Sequence, residues 1–222
     1  MAIIPARGGS KGLTNKNLRH VNGVPLIVNA INSAKKSRFI NDIIVTSDSD
    51  EILKTSKSIN SVITYKRASE LSQDNSKMID VVLDVLNSDN ILGNYDIFIL
   101  LQPTSPLRTS THIDEAIEKY LNSKSESLVS SYEVDNKYFK TFYVEKDFVT
   151  PLSKGHINNN RQQNPKLYMS NGAIYIVNIE VFIAQKSFLN NKTLNYIMNN
   201  KDSADIDSLE DLQNANKLLL NE

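Results

Sequence analysis

The sequence contains no cysteine and only three histidines in 222 residues. The first absence excludes disulfides, thiolate catalysis and cysteine-ligated zinc together, and three scattered histidines give little basis for a histidine metal centre. Excess charge is also missing: Lys+Arg and Asp+Glu stand at 25 each, so no global field favours nucleic acid or an anionic membrane. There is no long apolar run and no charged leader before the strand-like residues at the start. Neither a membrane span nor a signal peptide is therefore expected, and the chain reads as cytoplasmic. What remains is chemistry by Asp, Glu, Lys, Arg and neutral polar groups. It sits on a chain whose 40% hydrophobic and 23% charged residues suit a single folded domain with a full core.

The loop behind the first strand organises the rest. Ala2, Ile3 and Ile4 form a short apolar strand closed by Pro5, and Gly8, Gly9 and Gly12 then supply a backbone that can curl with its N–H groups inward. Arg7, Lys11, Lys16 and Arg19 hang four cations on the same loop, as a polyphosphate would require. The spacing Gly8-Gly9-Ser10-Lys11-Gly12 fits neither the Walker loop nor the dinucleotide fingerprint.

Strand and helix alternate from there. Leu26, Ile27, Ala30, Ile31 and Ala34 predict a helix over 25–34 with Pro25 in its first turn, followed by a β-branched strand over 42–46. Asp48 with Glu51 reads as the capping box of a helix over 49–57. Strands are expected over 61–65, 95–101, 127–131 and 172–177, with helices over 76–86 and 112–121. Strands that are apolar throughout, set between helices, require a sheet covered on both faces. The fold class is therefore α/β, a doubly wound, mostly parallel sheet with its site at the carboxyl ends of the strands. Between Val134 and Leu167 the pattern breaks into short aromatic pieces over 138–144 and 148–152 and an asparagine-rich run. This β-rich excursion is either a hairpin against a second subunit or a flap over the site, and its aromatics favour a partner surface.

Two further stretches carry chemistry. Leu101-Gln102-Pro103-Thr104-Ser105-Pro106-Leu107-Arg108 leaves a central strand, and its two prolines stiffen either a preorganised site or a plain turn. Near the other end, Asp205 and Asp207 alternate onto one face of an extended segment, roughly 6 to 7 Å apart. With oxygen ligands only, a cation bridged by that pair is Mg2+ or Mn2+. Asp207 with Glu210 also reads as a capping box ahead of Leu209, Leu212, Ala215 and Leu218, a structural reading that Asp205 lacks.

Taken together and in order, six motifs resemble the acylneuraminate cytidylyltransferases, the CMP-sialic acid synthetases. They are Ala6-Arg7-Gly8-Gly9-Ser10-Lys11-Gly12-Leu13, Lys16-Asn17-Leu18, the 101–108 loop, Arg161-Gln162-Gln163, Asn171-Gly172-Ala173-Ile174-Tyr175 and Asp205-Ile206-Asp207. The resemblance implies a nucleotide-diphospho-sugar transferase-like fold. It also implies a Mg2+-dependent enzyme, with Mn2+ as a substitute, that activates a nine-carbon 2-keto sugar acid with CTP and releases pyrophosphate. It implies a homodimer built through residues 134–167. By the same resemblance Arg7 and Lys16 take the triphosphate, Asn17 and Arg67 lie near the nucleoside, and Asp205 and Asp207 hold the metal. Gln102, Lys140, Arg161, Tyr175 and Phe188 face the sugar acid.

Two residues depart from the family pattern. Met78 stands where many members carry Ser or Thr near the cytosine, and Met169 stands where several sialic acid enzymes carry Arg. The second departure keeps legionaminic, pseudaminic and keto-deoxy acids open as substrates beside sialic acid. A nucleotide-binding regulator without turnover is the reading from another class, and the intact aspartate pair speaks against it.

Overall fold

The computed structural model describes residues 1–88 and 93–220. In chain order the elements are β1 (Ala2–Pro5), the short hairpin β2 (His20–Val21) and β3 (Val24–Pro25), α1 (Leu26–Lys35), β4 (Ile43–Ser47), α2 (Asp50–Lys57) and β5 (Val62–Lys66). Then come α3 (Met78–Leu86), β6 (Ile97–Leu100), α4 (Ser110–Leu121), β7 (Ser127–Val134), β8 (Phe142–Glu145), β9 (Phe148–Pro151) and β10 (Leu167–Asn178). The last elements are α5 (Ile179–Gln185), β11 (Thr193–Ile197) and α6 (Leu209–Leu220).

Seven strands form one sheet in the order β11-β7-β10-β6-β1-β4-β5. β1 runs parallel to β4 and β6, β5 parallel to β4, and β11 parallel to β7, whereas β10 is antiparallel to both its neighbours. The sheet is mostly parallel, as expected.

Period-two alternation divides the core into two layers. Ala2, Ile4, Ile99 and Leu101 face Ile27, Ile31, Ile113 and Ile117 of α1 and α4. Ile3, Phe98 and Leu100 face Val82, Val85 and Leu86 of α3 and Phe182 of α5. Covering both faces is what makes these strands apolar throughout. A third small cluster joins Leu13, Val21 and Leu26 to Ile206, Leu212 and Ala215, and so pins α6 to the loop behind β1.

Several expectations need correction. Ser49, not Asp48, caps α2, accepting from Ile52 N. Ser208, not Asp207, caps α6: Ser208 Oγ accepts from Asp211 N while Asp211 Oδ2 accepts from Ser208 N at 2.8 Å. Both aspartates are thereby left for other partners. Within the excursion, 136–140 is a 3-10 turn rather than strand, and β8 pairs with β9 across a turn in which Lys146 and Asp147 have positive φ. Phe142, Tyr143, Val144, Phe148 and Val149 of that hairpin are exposed.

Candidate active site

The chain leaves β1 toward β4 and returns to β6 on the other side, so the crevice beyond β1 and β6 is a topological switch point, where open α/β sheets bind ligands. The loops after these two strands line a cavity of about 230 Å³ there, and its walls include Arg7, Lys16, Asn17, Arg67, Met78, Gln102 and Thr104. A larger cavity of about 680 Å³ lies behind the second loop, between α1 and the end of α6. Among the described residues Asp202 is its one carboxylate, and none of the expected site residues lines it.

The glycine loop is held by contacts that leave no room for a side chain at Gly8 or Gly12. Gly8 N donates to Asp48 Oδ1 at 2.9 Å, and a Cβ on Gly8 would stand 2.9 Å from Ser49 Cβ. A Cβ on Gly12 would stand 2.5 Å from the carbonyl oxygen of Asp207, while Gly9 has nothing within 4 Å. None of the three has a positive φ. Gly8 and Gly12 therefore serve close approach, not the curled backbone that the sequence suggested. Buried Asn17 adds a further tie, donating from Nδ2 to Arg7 O at 2.9 Å.

The charges around the cavity are incompletely matched. Arg67 is buried, and its Nε and Nη2 have no hydrogen-bond partner; Asp48 Oδ1 is 3.9 Å from Nη2. Loss of hydration, the largest cause, and then the neighbouring Arg7 hold the Arg67 guanidinium below its ordinary range despite Asp48. Such a group gains from any acceptor that enters. Lys16 Nζ lies 2.8 Å from Asp207 Oδ1.

Asp205 and Asp207 project to solvent on either side of the fully buried Ile206, as their alternation required. Although Asp205 reaches solvent on one side, its carboxyl is pushed up, first by lost hydration on its protein side. Asp207 and Asp211 push it further up, while the Thr104 hydroxyl and Lys16 oppose them. A carboxylate in that state is favourable for a cation. Among the described residues no group of three or more His, Asp or Glu gathers, so a metal there would rest on this pair. Two carboxylates suit a hard cation that completes its shell with water and phosphate oxygens.

The 101–108 loop owes its shape to a buried cation as well as its prolines. Arg108 is fully enclosed, and its Nη1 donates to the carbonyls of Gln102 at 2.9 Å and Ala173 at 3.0 Å. Burial lowers its pKa to about 10. Ser33 Oγ and Asn29 Nδ2 hold the carbonyls of Arg108 and Pro106 from α1.

The structure thus gathers Arg7, Lys16, Asn17, Arg67 and Gln102 around one cavity, with Asp205 and Asp207 at its edge. It does not bring Lys140, Arg161, Tyr175 or Phe188 to that lining. Lys140 and Arg161 lie on the excursion, where Arg161 Nη2 holds both oxygens of Asp135 at 2.6 and 2.7 Å. The Tyr175 and Phe188 rings pack together at 5.3 Å, beside Phe98 and Phe182. Sequence reasoning passed over Asp48, taken for a cap, and Asp74, which lines the cavity and sits in no motif. Their contacts with the glycine loop identify them, Asp48 through Gly8 N and Asp74 through Arg7 and Lys11.

Comparison with known proteins bears on the family and the fold. A sequence model of the cytidylyltransferase family matches residues 1–221. An N-acylneuraminate cytidylyltransferase of Streptococcus agalactiae is 36% identical over 214 residues, covering 95% of this chain but 51% of the relative. The chain thus spans about half the length of that protein. A CMP-N,N'-diacetyllegionaminic acid synthase of Legionella pneumophila is 32% identical over 222 residues, covering 99% of this chain and 95% of the relative. The solved structure of a CMP:2-keto-3-deoxy-manno-octonic acid synthetase complexed with CTP superposes with a TM-score of 0.74 over 99% of this chain and 98% of the other. At 14% identity, that likeness speaks for the fold. With the family match spanning β1 through α6, the chain belongs to the cytidylyltransferase family.

Proposed function

We propose that this chain transfers the cytidylyl group of CTP to the anomeric hydroxyl of an N-acetylneuraminate-like nine-carbon 2-keto sugar acid. The observation that carries the reading is the meeting of Arg7, Lys16 and Arg67 with Asp205 and Asp207 at the carboxyl ends of β1 and β6. The sugar hydroxyl oxygen attacks the α-phosphorus in line, the bond from that phosphorus to the oxygen bridging to the β-phosphate breaks, pyrophosphate leaves, and the hydroxyl proton passes to water. No covalent intermediate is needed, so the residues act by positioning and charge stabilisation. Arg7 and Lys16 meet the charge that grows on the leaving pyrophosphate, and Asn17 and the unpartnered donors of Arg67 hold the nucleoside end. Gln102, set by Arg108, faces the sugar acid. Asp205 and Asp207 would hold Mg2+ or Mn2+, which supplies neutralisation of the phosphates.

The homodimer belongs to the same reading. The apolar side chains of β8 and β9 stand in solvent, a patch that fits a second copy of this chain. Lys140 and Arg161 lie on that excursion, away from the cavity, and reach a sugar acid only if an assembly places the excursion against a site.

Legionaminic acid is the second reading, supported by the 32% identical relative that carries that acid in its name and of which this chain covers 95%; Met169 does not decide between the two acids. That side chain lies on β10 outside the cavity lining and accepts the Tyr132 hydroxyl on its sulfur at 3.3 Å, so it offers no charge to a sugar. Pyrophosphate release from CTP with N-acetylneuraminate and with N,N'-diacetyllegionaminate, each with Mg2+ and with excess EDTA, tests the proposal. Release with one of these acids and loss of release in EDTA are expected. CTP binding without release for any keto sugar acid points to a regulator instead.

A further inference from the structure

One carboxylate in the cavity has no part in the chemistry above. Asp74 stands between the 3-10 turn Ser69–Ser72 and α3, and each of its oxygens takes a different cation of the glycine loop. Oδ1 accepts from Arg7 Nη1 at 3.0 Å, and Oδ2 meets Lys11 Nζ at 2.6 Å. The bond from Lys11, chiefly, and that from Arg7 hold its carboxyl below the ordinary range against the cost of lost hydration. An anion that bridges two cations through separate oxygens is arranged as a phosphate group would be.

The segment around Asp74 does not need those ion pairs to keep its shape. Ser76 Oγ donates to Glu70 O and accepts from Gln73 N, and Gln73 Nε2 donates to Ser69 O. The pairs themselves are open to water, with Asp74 about half exposed and Lys11 mostly exposed, so breaking them costs little.

We infer that Asp74 is an internal counter-anion: it occupies the phosphate subsite formed by Arg7 and Lys11 and is exchanged for phosphate oxygens when a polyphosphate enters. The inference rests on reading this cavity as a triphosphate site. Exchange has two consequences. A singly charged anion gains too little to displace a carboxylate already shared by two cations, so the subsite selects polyanions. After transfer the same carboxylate returns to Arg7 and Lys11, which lowers the affinity of those two cations for the pyrophosphate that must be released.

Calorimetric titration of inorganic pyrophosphate into the full chain, without metal, tests this in wild type, Asp74→Asn and the charge-keeping Asp74→Glu. Asp74→Asn is expected to bind about tenfold tighter, the effect of removing one nearby like charge, and Asp74→Glu to stay within about threefold of wild type. The gain shrinks as salt is raised. Equal or weaker binding by Asp74→Asn overturns the inference and leaves the triphosphate reading standing. Absence of binding by all three proteins overturns both.

Discussion

Lys16 Nζ and Asp207 Oδ1 lie 2.8 Å apart, although 191 positions separate them in the chain. One is expected on the triphosphate and the other on the metal. In the free protein each neutralises the other, so Lys16 stands where a cation would meet Asp207. Lys16→Gln is expected to cut pyrophosphate release from CTP by about 10²- to 10³-fold, the usual loss for a preorganised charge stabiliser. Because the pair is largely open to water on the Asp207 side, the melting temperature should hardly move. Mn2+ titrated into nucleotide-free protein should bind more tightly in the variant, and weaker binding would show that Lys16 does not compete for Asp207.

Gly12 and Gly9 form an internal control. Gly12→Ala drives a methyl to 2.5 Å from the Asp207 carbonyl and must push the aspartate segment off the loop, whereas Gly9→Ala meets nothing within 4 Å. Gly12→Ala is expected to lose most activity, and Gly9→Ala to keep it within about a factor of three, since neither residue needs a positive φ. Similar activities for the two variants would disprove the close-approach account.

Asp114 supplies a pH test away from the site. Lost hydration pushes its carboxyl up, but the bonds from Ser37 Oγ at 2.5 Å, Arg38 Nε at 3.0 Å and Arg38 N at 3.1 Å outweigh it, so its pKa falls below 3.8. With the folded value under the unfolded one, this stabilisation is complete above the unfolded value and is lost as pH falls through the folded one. Asp114→Asn is expected to cost on the order of 1 kcal/mol at neutral pH. Its melting curve should converge with that of wild type once pH falls below the folded value of Asp114, under the ordinary carboxylate range.

Phe148 is 77% exposed at the start of β9. If the hairpin is the dimer contact, Phe148→Asp should convert a dimer to a monomer in sedimentation without changing the circular dichroism spectrum. A wild-type monomer would remove the dimer from the proposed function.

The aspartates show how far local pattern reaches. Ser47-Asp48-Ser49 and Asp207-Ser208 each offer adjacent residues able to cap a helix. The pattern locates both helix starts to within a residue, but not which side chain turns back to the backbone. In both places the serine caps and the aspartate points elsewhere, to Gly8 N in one case and Lys16 in the other. The tertiary fold decided this, because each alternative partner comes from a segment remote in sequence.

The order of the main strands and helices, the two-sided covering of the sheet and a crevice at its carboxyl edge were determined by the sequence itself, because period two and period 3.6 are local properties of neighbouring residues. So was the membership of Arg7, Lys16, Gln102, Asp205 and Asp207 in loops able to meet. The tertiary structure alone decided that Gly8 and Gly12 serve contact rather than curvature, that Arg108 is enclosed to hold Gln102, and that Asp74 bridges Arg7 and Lys11. It also left Lys140 and Arg161 outside the cavity. These facts depend on distances between segments brought together by sheet order, and one chain's local spacing carries no information about such distances.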